Sequence, residues 1–383
     1  MKFWFGRKAG RGTVRPFLFR GWGAAPAAGE WPRGYEAQVR EAYLGNPVAQ
    51  RAVRLVAESV AWAPVYALDG PGAGAAEGSR RGLALLTPPL LETAATQLLL
   101  HGNCYLQIVV DASGAPAELF ALRPERVKVE PGPGGWPVAY LYKTGEVKTR
   151  VAARDGLGRP GLVHIRAGHP LDDHYGLGSL GAAAGAVAIH NAATRWNKAL
   201  LDNAARPSGA LVYDPGDGAL LSDDQYDRLK AELASEMQGA ANAGRPLLLD
   251  GGMRWEAMSL SPADMDFIGL KAAAAREIAL GFGVPPMLLG LPGDSTYANY
   301  REANRALWRL TVLPLGEKIA GAVSAALAAW WPGLKLKLDV DQVTALAEDR
   351  ERLWAQVSAA DFLSRDEKRE MLGFAPGKAE EAA

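Results

Sequence analysis

Phe282-Gly283-Val284-Pro285-Pro286-Met287-Leu288-Leu289-Gly290-Leu291-Pro292-Gly293-Asp294-Ser295-Thr296-Tyr297-Ala298-Asn299 stands between two helical stretches and governs how the C-terminal half is read. Val284-Pro285-Pro286 forces extended backbone, because proline fixes φ and disfavours helix in the residue before it. Leu289 to Asn299 then reads as a loop. Before it, Ser261-Pro262-Ala263-Asp264 starts a helix that ends near Gly281 to Gly283. After it, a long helix reaches Ala329, bent at Pro314. Upstream lies another long helical stretch, Ser179 to roughly Ala205, ~40 Å at ~1.5 Å per residue. These two helices bracket a small αβ insert from Pro207 to Leu260.

Within the insert, Leu211 to Tyr213 reads as a strand, and Ser222 caps a helix with Gln225 three residues on. Pro246 to Leu249 and Arg254 to Ser259 flank Gly251-Gly252, a hairpin signal. In the N-terminal half, Tyr35 to Ala61 has helical periodicity, interrupted at Asn46-Pro47. Val65 to Leu68 is a short strand, and Gly70 to Gly82 reads as a loop without periodicity. Thr87 is an N-cap with Pro88 at the first helical position, and Leu90, Leu91, Ala94, Ala95, Leu98 and Leu99 mark one face. Tyr105 to Asp111, Glu118 to Leu122, Val127 to Glu130 and Val138 to Tyr142 alternate between Gly/Pro turns, which predicts an antiparallel meander. Leu162 to Arg166 adds a strand. Leu334 to Val340 is another, followed by helices at Leu346 to Val357 and Arg365 to Leu372.

The 383 residues suggest two to three domains and carry 42 basic and 42 acidic side chains, so the net charge is zero. Hydrophobic residues at 49% and charged residues at 22% exclude wholesale disorder. Zero net charge argues against a surface that is basic throughout for gripping nucleic acid. The single cysteine, Cys104, excludes an internal disulfide framework and a cysteine-cluster metal site and fits a reducing compartment. Residues 1–20 hold Lys2, Arg7, Lys8, Arg11, Arg15 and Arg20, a basic arm whose charges leave no signal-peptide core. The apolar stretch Leu310 to Trp331 contains Pro314, Glu317 and Lys318, which reads as too polar for a span.

Catalytic signals are few. His164, His169 and His174, with Asp172 nearby, suggest a metal-dependent hydrolase as the alternative reading, since imidazole and carboxylate suit Zn or Fe. Their spacing matches neither a helix face nor a strand face. No Gly-x-Ser-x-Gly, phosphate-loop or dinucleotide motif occurs. Gly176-Leu177-Gly178-Ser179 reads as a helix-starting turn, and Cys104 as a buried small hydrophobe.

Several motifs, in order, resemble the portal protein of tailed bacteriophages with an HK97-like capsid. They are Tyr175-Gly176-Leu177-Gly178-Ser179-Leu180, Asn203-Ala204-Ala205-Arg206-Pro207-Ser208-Gly209, Arg245-Pro246-Leu247-Leu248-Leu249-Asp250-Gly251-Gly252-Met253 with Trp255, and Ser261-Pro262-Ala263-Asp264-Met265-Asp266-Phe267. Arg276-Glu277-Ile278-Ala279, the opening stretch and Pro314 complete the set. The resemblance implies an α+β portal fold. Its parts would be an N-terminal arm (1–34), a wing of helices and antiparallel strands (35–174), a first stem helix (175–206), a small αβ clip (207–260) and a second stem helix (261–283). A tunnel loop (284–299), a long bent wing helix with a strand (300–340) and a short helical crown (341–383) would follow.

The resemblance further implies a non-enzymatic ring, usually of twelve subunits, at one capsid vertex of a virion assembled in the bacterial cytoplasm. Double-stranded DNA would pass through it without sequence specificity during packaging and ejection. Large terminase, head-completion or adaptor proteins and the major capsid protein would be partners, with no cofactor and no membrane. The same family serves phage-like gene transfer agents. The implied tunnel-loop residues are Met287, Leu288, Leu289, Leu291, Asp294, Ser295, Thr296, Tyr297 and Asn299. Asp264, Asp266 and Lys271 would line the stem, and Arg245, Asp250, Met253, Arg254 and Trp255 would lie in the clip.

A sliding channel has an electrostatic requirement. Each phosphate neutralised by Lys or Arg strengthens binding through counterion release, so a basic lining holds DNA. Met287 to Asn299 has one charge, Asp294, and no Lys or Arg. That predicts a constriction that is neutral to acidic. Asp264 and Asp266 equally suit a helix N-terminus. The alanines of both stem helices suggest close packing between neighbouring subunits.

Overall fold

The computed structural model describes residues 34–68, 75–202, 209–213, 222, 224–229, 231, 253–257, 266–291 and 296–372. Asn46 shows how local chemistry shapes its first layer. α1 (Tyr35–Val39) runs into a π-helical turn (Arg40–Leu44), and α2 (Pro47–Trp62) starts afresh at Pro47. The Asn46 side-chain oxygen accepts from Val48 N and Ala49 N, both at 3.0 Å, so two amides that a helix start leaves without partners are satisfied. α2 then buries Ala49, Ala52, Val53, Val56, Ala57 and Val60, a helical stripe.

β1 (Val65–Leu68) follows and pairs antiparallel with β10 (Lys335–Leu338), near the other end of the chain. The next segment corrects the sequence reading, because the expected Gly70–Gly82 loop includes most of a helix, α3 (Ala75–Leu85). Its glycines are contact points. A Cβ on Gly78 would lie 2.8 Å from Trp331, and one on Gly82 would lie 2.7 Å from Leu334. α4 (Pro88–Leu100) has Thr87 at its N-cap, without a side-chain capping bond, and buries Leu90, Leu91, Ala94, Ala95, Leu98, Leu99 and Leu100.

The expected meander is two sheets. β2 (Asn103–Val110) lies between β3 (Pro116–Leu122) and β7 (Leu162–Arg166), antiparallel to both. β4 (Val127–Pro131), β5 (Pro137–Thr144) and β6 (Val147–Ala152) form a separate antiparallel sheet. β6 was not legible in the sequence because most of its residues are exposed, which leaves no buried face to impose an apolar alternation. The first sheet is a middle layer. Cys104, Leu106, Ile108, Val163 and Ile165 join the helical core on one side. Tyr105, Leu122 and Leu162 join Val127, Val129 and Tyr140 of the second sheet on the other. Burial on both faces explains the near-continuous apolar run of β2.

α5 (Ser179–Asp202) and α6 (Phe267–Gly281) are the two long middle helices. The described part of this helix, α6, runs from Phe267 with Asp266 as its N-cap. Between them, β8 (Gly209–Tyr213) pairs antiparallel with β9 (Met253–Ala257). Ser222 and Gln225 make the reciprocal capping bonds expected of them. The expected strand at Pro246–Leu249 and the start of the long helix at Ser261 fall outside the described residues, as does the N-terminal arm.

Met287 to Leu289 lie in a short 3-10 turn (Pro286–Leu289), and the expected loop ends sooner than Asn299, because a helix starts at Tyr297. α7 (Tyr297–Leu307) passes through a π-helical turn (Trp308–Val312) into α8 (Leu313–Leu327). Pro314 sits in the first turn of α8, so the expected bend is a π turn just before the proline, where a missing N–H interrupts the α ladder. This continuous helix, Tyr297–Leu327, is long and apolar enough by length and composition to cross a membrane, a correction to the reading of Leu310–Trp331. Its apolar face is spent elsewhere: Leu307, Val312, Ile319, Ala320, Val323 and Leu327 are buried in the core. α9 (Ala347–Ala359) and α10 (Arg365–Met371) close the chain, the latter with a full capping box at Ser364 and Glu367.

Candidate functional site

Asn46 joins the start of α2 to α5. Its Nδ2 donates to Asn191 Oδ1 at 2.8 Å and lies 3.0 Å from His190 Nδ1. Asn191 Nδ2 in turn donates to the Glu41 carbonyl at 2.8 Å. All three side chains are buried, so each lost bond would leave an unsatisfied polar group. Burial holds the His190 pKa below the usual imidazole value, and the charge of Lys271 on α6 adds to this. The sequence signalled Asn46-Pro47 as a break and gave no sign of this joint.

α5 and α6 run antiparallel. Trp196 stacks on Phe267 with ring centroids 4.0 Å apart and 18° between planes. At the other end a Cβ on Gly281 would sit 3.1 Å from Ala183 Cβ. Ala183, Ala186, Ala274, Ala275 and Ala279 are buried within the single chain. These small side chains serve the pairing of the two helices within one protomer, while Ala182, Ala192 and Ala273 of the same helices are exposed.

A backbone clasp holds the start of α5. Gly102 has φ +81°, and a Cβ there would fall 2.4 Å from Gly178 N. A Cβ on Gly176 would meet the Gly102 carbonyl oxygen at 2.0 Å. Asn103 Oδ1 accepts from Gly176 N at 2.7 Å. The Gly176–Ser179 turn is filled by protein backbone, as a helix-starting turn requires, and leaves no cradle for a phosphate.

The sequence-named residues separate into groups. Asp266 has φ 41° and accepts from Gly269 N at 3.1 Å, so it is a helix cap; Asp264 lies outside the described residues. Lys271 is half-buried. Leu288 and Leu289 pack against the main core. Met287 and Leu291 are half-buried. Thr296 caps α7 by accepting from Asn299 N at 3.2 Å, and Tyr297 is 79% exposed at the start of that helix. Asp294 and Ser295 lie outside the described residues. In the insert between α5 and α6, Met253, Arg254 and Trp255 stand on β9, opposite Tyr213, Val212 and Leu211; Arg245 and Asp250 lie outside the described residues.

A second charged cluster went unnoticed in the sequence. Arg305 of α7 is only 14% exposed and reaches Glu302 Oε1 at 2.9 Å, Glu348 Oε2 at 3.0 Å and Asp349 Oδ2 at 3.4 Å. Arg301 also pairs with Glu348. Arg301 and Arg305 stand one turn apart, and Glu348 and Asp349 sit in the first turn of α9, but their partnership is a tertiary event that no local spacing reveals.

The three histidines do not converge. His164 stacks on Tyr105 at 4.3 Å and bonds Asn103 Oδ1 through Nε2 at 3.1 Å. Burial first, then neighbouring positive charge, holds its pKa down at about 4. His169 Nδ1 accepts from Leu171 N within its own loop, and Asp172 caps the amides of His174 and Tyr175. Among the described residues no group of three His, Cys, Asp or Glu side chains is placed to hold a metal ion, which overturns the metal-hydrolase alternative. Cys104 is buried, and burial raises its thiol pKa, so it is unsuited to nucleophilic chemistry.

Helices layered on two antiparallel sheets, an antiparallel helix pair, a strand-bearing insert between its helices and a long interrupted helix together make the fold of an HK97-like portal. The chain belongs to the phage portal protein family, whose model matches residues 47–373. It is similar to a chain in the neck of an empty gene transfer agent particle computed with C6 symmetry, with 48% identity, TM-score 0.69, and 91% of this chain and 96% of that one covered. A chain from the native particle's neck, computed with C12 symmetry, gives 48% identity, TM-score 0.66, and 91% and 95% coverage. The fold is also that of an HK97 family phage portal protein from Corynebacterium diphtheriae (18% identity, TM-score 0.56, 81% and 96% coverage).

Proposed function

We propose that copies of this chain form a ring, of twelve subunits, at one vertex of a phage or gene transfer agent particle, through which double-stranded DNA passes during packaging and ejection. The observation that carries this is the 48% identity, over 91% of the chain, with a neck chain of a gene transfer agent particle computed with C12 symmetry. Cyclic head-to-tail contacts close into rings when the rotation fits. The insert at 207–260 is the platform for large terminase and later for head-completion proteins, and the wing meets the major capsid protein.

The tunnel loop spans 284–299, taking in the 3-10 turn at Pro286–Leu289 and the first residues of α7. Met287, Leu288, Leu289, Leu291, Ser295, Thr296, Tyr297 and Asn299 are uncharged, and Asp294 is acidic. Such a lining offers phosphates no cation to bind, so DNA slides. Lys271 is half-buried, and its charge is felt by buried His190 of α5.

Negative-stain microscopy of the purified chain tests the reading. Rings with a central hole are expected; a chain that stays monomeric under every buffer tried would contradict it. A ring of unpaired Lys or Arg at the narrowest point of an assembled structure would contradict the neutral lining.

A further inference from the structure

The outer sheet carries charge that neither the core nor the proposed channel uses. Register settles which residues share its faces. Lys128 stands opposite Leu141, and Leu141 opposite Arg150; Lys143 stands opposite Lys148. Residues directly opposite, and residues two apart on a strand, point to the same side. Lys128, Lys143, Lys148 and Arg150 therefore share one face, with Leu141, Ala139, Ala152 and Glu130. Val127, Val129, Tyr140, Tyr142 and Val151 lie on the other face, packed on the second core.

All four basic side chains on the first face are exposed. Strands ~4.8 Å apart and alternate residues ~6.8 Å apart put them within about 10 Å by 7 Å. On the sheet itself, Glu130 takes two hydrogen bonds from Arg150 at 3.0 and 3.1 Å, Glu146 stands in the β5–β6 turn, and Lys128 also has a partner. Lys143 and Lys148 are a directly opposed like-charged pair, an arrangement that destabilises a sheet. Neither makes an ion pair among the described residues. A chain of zero net charge thus concentrates positive charge on one flat surface, at a cost to its own sheet.

We infer that this face binds the sugar–phosphate backbone of double-stranded DNA, as a site separate from the channel; the biological setting rests on the portal reading. Charge complementarity selects a polyanion. The sheet's tyrosines are on the opposite face, so the surface lacks the stacking platform that single strands use. Its accessible apolar content is Leu141 and Ala152, Ala139 being buried, too little for the apolar centre of a protein–protein interface. Backbone contacts by lysine carry no sequence information, so binding is non-specific.

The test uses the full chain, a short fluorescently labelled duplex of arbitrary sequence, and anisotropy titrations across a range of salt. Lys143→Gln with Lys148→Gln should weaken binding and lower the slope of log affinity against log salt by about 1.8, at about 0.9 per phosphate contact. Lys143→Arg with Lys148→Arg should retain both affinity and slope, which separates loss of charge from misfolding. Equal slopes for wild type and the Gln pair would overturn the inference. So would binding that the Gln pair loses for poly-glutamate but keeps for the duplex, since that would mark an acidic protein partner. Ring formation is scored in parallel: rings without a change in DNA binding refute this face alone, whereas absence of rings refutes the portal reading.

Discussion

His164 was a candidate metal ligand in the sequence and is a packed aromatic in the structure. Its burial against Tyr105 and Tyr140 keeps it neutral, with a folded pKa of about 4 against an unfolded value near 6.5. The unfolded chain thus binds this proton first as pH falls. The stability that the neutral ring contributes is complete above about pH 6.5 and is lost on the way down to about pH 4, to the extent of roughly 3 kcal/mol. Urea unfolding of wild type and His164→Gln between these limits should give a shallower pH slope for the variant; parallel slopes would refute the assignment. Asn46 is the other residue whose role exceeds its sequence signal. Asn46→Ala removes two capping bonds and the link to His190 and Asn191. A loss of about 2–3 kcal/mol is expected from denaturant midpoints, larger than a cap alone supplies. A loss under about 0.5 kcal/mol would show that water replaces the joint without cost.

At the scale of elements, the sequence was informative wherever one face of a segment is buried. α4 and its face of leucines, β2 and β7 followed from periodicity, and the cap at Ser222 and Gln225 from capping chemistry; the box at Ser364 emerged only in the structure. It was uninformative where tertiary contact decides. α3 looked like a loop because its glycines, which lower helix propensity, are required by Trp331 and Leu334 across a gap no spacing encodes. The two-sheet arrangement was hidden because turns between strands of one sheet and of two sheets look alike. The ion cluster between α7 and α9 was hidden for the same reason. Its consequence is testable. Of α7, only Leu307 is buried, so Arg305 and Arg301 with Glu348 and Asp349 are its main tether to the C-terminal helices. Arg305→Ala should speed amide exchange in 297–307 by tenfold or more while α2 and α4 keep wild-type protection. Uniformly changed exchange, or none, would show that the tether is not local.

For the whole molecule, equal numbers of acidic and basic residues first counted against a protein that grips DNA. The structure refines that arithmetic, because it places four basic side chains on one sheet face, while the sequence of 287–299 carries one charge, Asp294. Positive charge is therefore expected where DNA can rest and absent where DNA must move. Asp294→Lys is predicted to oppose movement: assembled rings should retain duplex DNA at salt concentrations that release it from wild type, measured by co-sedimentation. Unaltered retention would place Asp294 away from the DNA path. Zero net charge also means little mutual repulsion between subunits. Ring yield should vary less than about twofold as ionic strength rises from about 0.05 to about 0.5 M, a range over which exposed pairs become largely screened.

The close approach of α3 to Trp331 and Leu334 inverts an ordinary expectation about tolerance. Exchanging glycine for alanine inside a helix usually gains about 1 kcal/mol. At Gly78 and Gly82 the added methyl would arrive where an indole and a leucine already sit. In a library of random substitutions these plain positions, in a segment that reads as filler, should return almost only glycine, while the charged residues beside them vary freely.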